Sequence, residues 1–298
     1  MIYSNYYLFK KYPMLVLLLV SSSFTFAQEN SASQTPPPKE YVKATFENGV
    51  VINNQTVENP GKKALDFMIQ HRFGVIKDDK DLFGIFAPSN IRLGLTYGIT
   101  DRLAVGIGAT KNKLLYDFQG KYIILKQTKQ KGIPVTVSYY GDVARSAQDK
   151  ENFLNLEGNY KSTNKLSYFH ELMVARKINS KVSLQLAGTY SHFNIIDSLY
   201  GQHDFYGISF VGKYKFSPQS SVVVDFDYLL NVSDIDDVTR PKPNLSIGYE
   251  VSTGSHQFQV FVCTADAIIN QENRVFNHND FPQNILLGFN ITREWSFK

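Results

Sequence analysis

The sequence predicts an all-β chain folded as a closed, antiparallel, up-and-down transmembrane β-barrel of about twelve strands, with an irregular N-terminal segment before it. Three observations predict it. Between Ala64 and Phe297, apolar and polar residues alternate through successive short runs. The connections between the runs alternate between long and short. The chain is 14% aromatic, with 18 Tyr and 22 Phe, yet its mean hydropathy is only −0.22. A membrane strand is apolar on one side only, so mild hydropathy is compatible with a membrane protein. No run of about 18 apolar residues is present, which excludes a helical span. At 298 residues the chain is long enough for one large all-β domain or two ordinary ones. A net charge of +4, dispersed along the chain, offers no basic stripe with stacking aromatics and excludes nucleic acid as a partner.

The N-terminus reads as a secretory signal peptide over residues 1–27. Lys10 and Lys11 are the basic region, Met14 to Val20 the apolar core, and Thr25-Phe26-Ala27 the cleavage site before Gln28. Export through it points to the outer membrane of a Gram-negative cell. Residues 28–63 are expected to be an irregular periplasmic linker. Ser31 to Pro38 is a flexible or extended stretch. Thr45 to Gly61 has more apolar content, and two readings stand for it: packing at the periplasmic side or in the lower lumen, and a disordered tether. Cys263, the single cysteine, lies within a strand pattern, so a disulfide framework is impossible and a small buried side chain is expected.

Residues 64–298 are expected to form the barrel. The first strand, from about Ala64 to Phe73, sets Leu65, Phe67, Ile69 and Phe73 on one face and Asp66, Met68, Gln70 and Arg72 on the other. The second, Asn90 to Ile99, turns Ile91, Leu93, Leu95 and Tyr97 outward. Thr100-Asp101-Arg102 makes a tight turn, and Leu103 to Thr110 follows with Ala104, Gly106 and Gly108 inward. The remaining strands are expected at 114–126, 133–141, 165–176, 181–193, 204–216, 221–231, 244–252, 256–264 and 284–297. Long connections fall at 74–89, 142–164, 194–203, 232–243 and 265–283, whereas Lys111-Asn112-Lys113 is short. The last strand alternates Ile285, Leu287, Phe289 and Ile291 with polar residues and ends on Trp295 and Phe297. It resembles the C-terminal signal read by the barrel-assembly machinery, a partner expected on that ground, although Lys298 follows the aromatic.

Lipid-facing aromatics are expected in two girdles. Tyr116, Tyr139, Tyr168, Tyr190, Tyr206 and Tyr228 should lie toward the long-loop ends, and Tyr97, Tyr122, Tyr214, Tyr249 and Trp295 toward the short-turn ends, in contact with outer-membrane lipid. The opposite parity carries candidate lumen-lining charges: Arg72, Arg92, Lys121, Lys213 and Lys215 with Asp66, Asp117, Glu171, Asp225, Asp227 and Glu250. Buried charge must be paired or hydrated, so these residues either knit a plug or line an aqueous path for a small solute. Lys213 is expected roughly opposite Asp225 across the turn at Pro218.

Catalytic signals are weak. Ser191-His192 is the tempting pair, but adjacent strand residues point to opposite faces. His170 and His192 share the lipid parity, with no serine or carboxylate placed beside them on that face, so no catalytic residue is assigned. Asp234, Asp236 and Asp237 lack the spacing and glycine of a calcium loop, and His278 and Asp280 have no partner at ligand spacing. No metal or other cofactor is expected.

Several stretches resemble a bacterial family of outer-membrane β-barrel domains of unknown function. They are Ala44-Thr45-Phe46, Val57 to Lys62 (VENPGK), Gln70 to Gly74 (QHRFG), Gly98 to Leu103 (GITDRL), Val105 to Gly108 (VGIG) and Leu172 to Lys177 (LMVARK). The resemblance implies location and fold and carries no reaction or ligand. The expected function is therefore a porin-like passive small-solute channel or a structural, surface-binding scaffold. The alternatives are a lipid-modifying enzyme of phospholipase or lipid A hydrolase type, and a soluble ligand-binding barrel. Oligomeric state is not encoded in any feature of the chain.

Overall fold

The computed structural model describes residues 40–298, apart from 78, 79, 81, 131, 156, 157 and 298. The expected signal peptide, the Pro-rich stretch and Lys298 lie outside the described residues. Period-2 alternation is realised in twelve antiparallel strands that close on themselves. After a short hairpin of β1 (Val50–Val51) and β2 (Asn54–Gln55), the barrel runs β3 (Ala64–Val75), β4 (Asn90–Gly98), β5 (Leu103–Thr110) and β6 (Leu115–Leu125). It continues through β7 (Thr136–Ser146), β8 (Leu166–Lys177), β9 (Val182–Phe193) and β10 (Asp204–Lys215). The last four strands are β11 (Ser220–Leu229), β12 (Asn244–Thr253), β13 (His256–Cys263) and β14 (Leu286–Ser296). Among the described residues there is one α-helix, α1 (Asn270–Val275), in the loop before β14.

Each strand pairs with its sequence neighbour, and β14 closes on β3, from Ser296 opposite Ala64 to Leu286 opposite Val75. Closure satisfies the backbone ladders and leaves no edge. The inward face of the strands is mostly buried, and the outward face is exposed or half-buried. Outward Leu93, Leu95, Ile107, Phe118, Leu172, Leu186, Ile208, Ile247 and Val260 are all exposed.

The fifth barrel strand differs from expectation. It was expected at 133–141 and runs from Thr136 to Ser146. The connection before it is longer than expected, and in it Thr128 N–H donates to the Ile133 carbonyl at 2.9 Å. Beyond Tyr139 the alternation continues, but its outward members are Gly141, Val143 and Arg145, so the apolar run that marks a lipid-facing strand is lost. The shift moves Tyr139. Expected near the long-loop end, it lies three residues from the short-turn end of β7, directly opposite Tyr122.

Twelve strands enclose more space than wall side chains alone can fill. Here two further pieces of chain enter it. The β1–β2 hairpin rises from the short-turn end, and α1, every residue of it buried, descends from the long-loop end. Phe46, Val51, Ile52 and Val57 of the N-terminal segment pack with Tyr140, Phe169, Met173, Val211, Val223 and Phe261 of the wall as one apolar cluster.

Candidate functional site

The interior is rich in buried polar groups, and several of its charges bond the two plugs. Arg72 is fully buried under the hairpin tip. Its Nη2 donates to the Ile52 carbonyl at 3.0 Å and to Asn53 Oδ1 at 2.9 Å, and its Nη1 donates to Asn290 Oδ1 at 3.0 Å. Asn53 N–H donates to Asp225 Oδ2 at 2.8 Å. Ile52 sits at φ 51°, a left-handed backbone that a β-branched residue avoids. Wall groups hold it there: Ile52 N–H donates to Gln259 Oε1 at 3.1 Å, and its carbonyl also accepts from Asn290 Nδ2 at 2.9 Å. Lower down, Lys121 Nζ donates to the carbonyls of Gly49, Thr56 and Glu58 at 2.9, 3.0 and 3.1 Å. Val57 is gripped from both sides by Gln185 and Ser138 at 3.0 Å each.

The upper plug meets the lower one. Arg274 of α1 lies 3.0 Å from Asp227 and 4.0 Å from Glu171, and its Nη2 donates to Asn54 Oδ1 of the hairpin at 2.5 Å. Its guanidinium stacks on Phe169, 4.7 Å from the ring centre. Asn244 Nδ2 donates to the Asn273 carbonyl at 2.8 Å. The two plugs thus touch inside the barrel, through Arg274 and Asn54.

Of the charges read from the sequence as lumen-facing, all but Lys215 are buried, and Lys215 is half-buried. Arg92 and Asp117 form a two-pronged pair at 2.9 and 2.5 Å, with Gln70 accepting from Arg92 at 3.1 Å. Glu250 accepts from Gln257 and Gln259 at 2.7 and 2.8 Å. Lys213 does not face Asp225. The register sets Lys213 opposite Val223 and Val211 opposite Asp225, because the turn after β10 places Ser221 against Lys215. The partner of Lys213 and Lys215 is Glu47 of the plug, at 3.1 and 2.8 Å. Burial pushes the Glu47 carboxyl upward, and the two lysines outweigh it, holding the group below the ordinary carboxylate range. Asp142, Tyr140, Arg274 and Glu272 belong to the same interior and were missed: Asp142 lies beyond the expected end of its strand, Tyr140 is an uncharged residue on the inward parity, and Arg274 and Glu272 come from a loop that reads as surface.

On the outward face, Tyr97, Tyr116, Tyr122, Tyr139, Tyr206, Tyr214, Tyr228, Tyr249 and Trp295 are exposed, while Tyr168 and Tyr190 are half-buried among neighbouring rings. Ser191 faces inward, fully buried, and His192 faces outward. A carboxylate does stand beside His192, contrary to expectation: Asp204 accepts from His192 Nδ1 at 2.7 Å and from Tyr190 at 2.6 Å. Asp204 opens β10 directly across from His192, a cross-strand neighbour invisible without the register. Tyr139 Oη and His170 Nδ1 are 2.6 Å apart.

In the loops, Asp237 pairs with Arg240 at 2.7 Å, Asp280 with Lys242 at 3.8 Å, and Tyr200 Oη lies 3.2 Å from His278 Nε2. Among the described residues no three His, Cys, Asp or Glu side chains are grouped to hold a metal ion. Cys263 is a buried free thiol. Above α1, the loops following β7 and β9 enclose a vestibule of about 880 Å³, floored by Glu272 and Phe276 and walled by Phe153, Lys161, Lys165 and Asn194.

The family described as a membrane-bound β-barrel domain, DUF5777, matches residues 46–295. The chain belongs to this family. The match begins at Phe46, so the family domain contains the lower plug as well as the barrel. Membership makes the exposed apolar wall a lipid-facing surface. Among solved structures the chain is similar to the KdgM porin, with 8% identity over 79% of this chain and 99% of that one and a TM-score of 0.44. It is similar to the NanC porin, with 10% identity over 78% and 99% and a TM-score of 0.48. It is also similar to outer membrane phospholipase A from Escherichia coli, with 9% identity over 81% and 93% and a TM-score of 0.42. No curated protein matches the chain.

Proposed function

We propose that the protein is a non-enzymatic outer-membrane barrel, closed at rest by two plugs, that serves as a scaffold presenting its loop-walled vestibule at the cell surface. The observation that carries this reading is the meeting of the plugs at Asn54 and Arg274. A passive channel would need a continuous aqueous path, and in this barrel the cross-section is occupied by Arg72, Ile52, Arg274 and their partners. The vestibule is of ordinary ligand-pocket size and lies on the side of α1 away from the lower plug. Liposome swelling in isotonic arabinose separates scaffold from channel. The scaffold reading predicts swelling no faster than in protein-free vesicles, and swelling at a porin-like rate would overturn it.

The enzymatic reading has one observation in its favour, the His192–Asp204 contact on the lipid face. It lacks a nucleophile there, since Ser191 Oγ points into the lumen and adjacent strand residues cannot share a face. Fatty-acid release from phospholipid vesicles should be at background, and unchanged in His192→Ala. Release that depends on His192 would reinstate the enzyme.

A further inference from the structure

A second cavity, of about 170 Å³, opens at the short-turn end between the hairpin and the β3–β14 wall. It continues inward into a smaller pocket of about 40 Å³; the two share Asn48, Gly49, Asn59, Pro60 and Asp66, and the inner one is also lined by Lys121 and by Arg92, whose charge is taken by Asp117. The larger cavity is lined by four carboxylate residues, Glu47, Glu58, Asp66 and Glu294, and by no lysine or arginine. Two of them are already engaged: Glu47 by Lys213 and Lys215, and Glu58 by the Thr45 N–H at 2.7 Å. Lys121, on the inner side, is held by three backbone carbonyls. His256 is bonded to Arg293 on the outer face.

That leaves Asp66 and Glu294, which face each other across the β14–β3 ladder. Asp66 is 8% exposed, and its Oδ1 has no hydrogen-bond partner. The buried Oδ1 of Asn59, on the same cavity, is likewise without one. Two unpartnered acceptors on residues that line one cavity are matched by a group that only donates, and an ammonium, with three donors and no acceptor, is that group. A single metal ion fits less well, because the acidic side chains do not converge on one point. Carboxylates spread along a narrow cavity match charges spread along an aliphatic chain.

We propose that this cavity binds a small aliphatic di- or polyamine, one ammonium donating to Asp66 Oδ1 and Asn59 Oδ1 and a second meeting Glu294 toward the mouth. The test is calorimetric titration of the full-length protein in detergent micelles with putrescine and spermidine, with calcium chloride as the competing cation. The expected result is saturable binding of amine at one site, weakened about tenfold or more by Asp66→Asn. Glu294→Gln, on an exposed residue, should weaken spermidine and provides the test should Asp66→Asn fail to fold. Absence of saturable binding, affinity unchanged in both variants, or displacement of the amine by calcium at lower concentration would each overturn the proposal. The outcome is independent of whether the barrel conducts.

Discussion

The guanidinium of Arg92 lies flat against a wall that has no side chains where it rests. A Cβ at Gly108 would sit 2.3 Å from Arg92 Nη2 and 2.6 Å from Asp117 Oδ1, and one at Gly94 would sit 2.6 Å from Arg92 Nη1. The two glycines are therefore the seat of the Arg92–Asp117 pair. Gly108→Ala should displace that buried pair and lower stability by about 1–3 kcal/mol, read as an earlier urea midpoint in detergent. Gly188, on the outward face with nothing within 4 Å of its Cβ position, is the control, and Gly188→Ala should leave the midpoint in place. Equal midpoints for the two variants would refute this account of the inward glycines. Arg274 is a harsher case. Arg274→Ala strips the counter-ion from Asp227 and Glu171, both buried, and should cost about 3–5 kcal/mol, whereas Arg274→Lys should recover part of it. A loss below about 1 kcal/mol for Arg274→Ala would mean that water, and not this guanidinium, satisfies the acids.

At the scale of elements, the lower plug is fastened by ions at its base and by backbone hydrogen bonds at its tip. Glu47 titrates below the ordinary carboxylate range because Lys213 and Lys215 hold its charged form against the burial that opposes it. A carboxylate lowered in this way stabilises the docked plug fully above the ordinary range and loses that contribution as pH falls through its own lower value. Acidification to below the ordinary carboxylate range should therefore loosen the hairpin base, seen as faster labelling of a cysteine introduced at Asn48. Glu47→Gln should show the fast labelling already at pH 7. Labelling that is indifferent both to pH and to this substitution would show that the tip contacts alone retain the plug. The tip is held by Arg72, Asn290 and Gln259, from three different strands, which is why Ile52 keeps a backbone it would otherwise avoid.

For the whole molecule, strand number, parity and closure were legible because lipid on one face and a lumen on the other impose a period of two along every strand. Legibility failed wherever the period survived but the apolar sign did not. Past Tyr139 the outward positions of β7 are Gly141, Val143 and Arg145, so its second half reads as loop, and Tyr139 was carried to the wrong height with it. The inward charges could be named from parity, but their partners could not. Glu47, Asn53 and Arg274 come from segments without strand periodicity, and only folding brings them to Lys213, Asp225 and Asp227. The Asp204–His192 contact was hidden for a related reason, since it depends on register across a loop. The central claim, a barrel sealed by a hairpin from below and a helix from above, is tested most directly by single-channel recording in planar bilayers. The wild-type protein is compared with a variant whose residues 46–59 are replaced by a Gly-Ser segment of equal length. The account predicts a silent wild type and discrete open steps in the variant, whereas steady conductance in the wild type, unchanged on removing the hairpin, would contradict it.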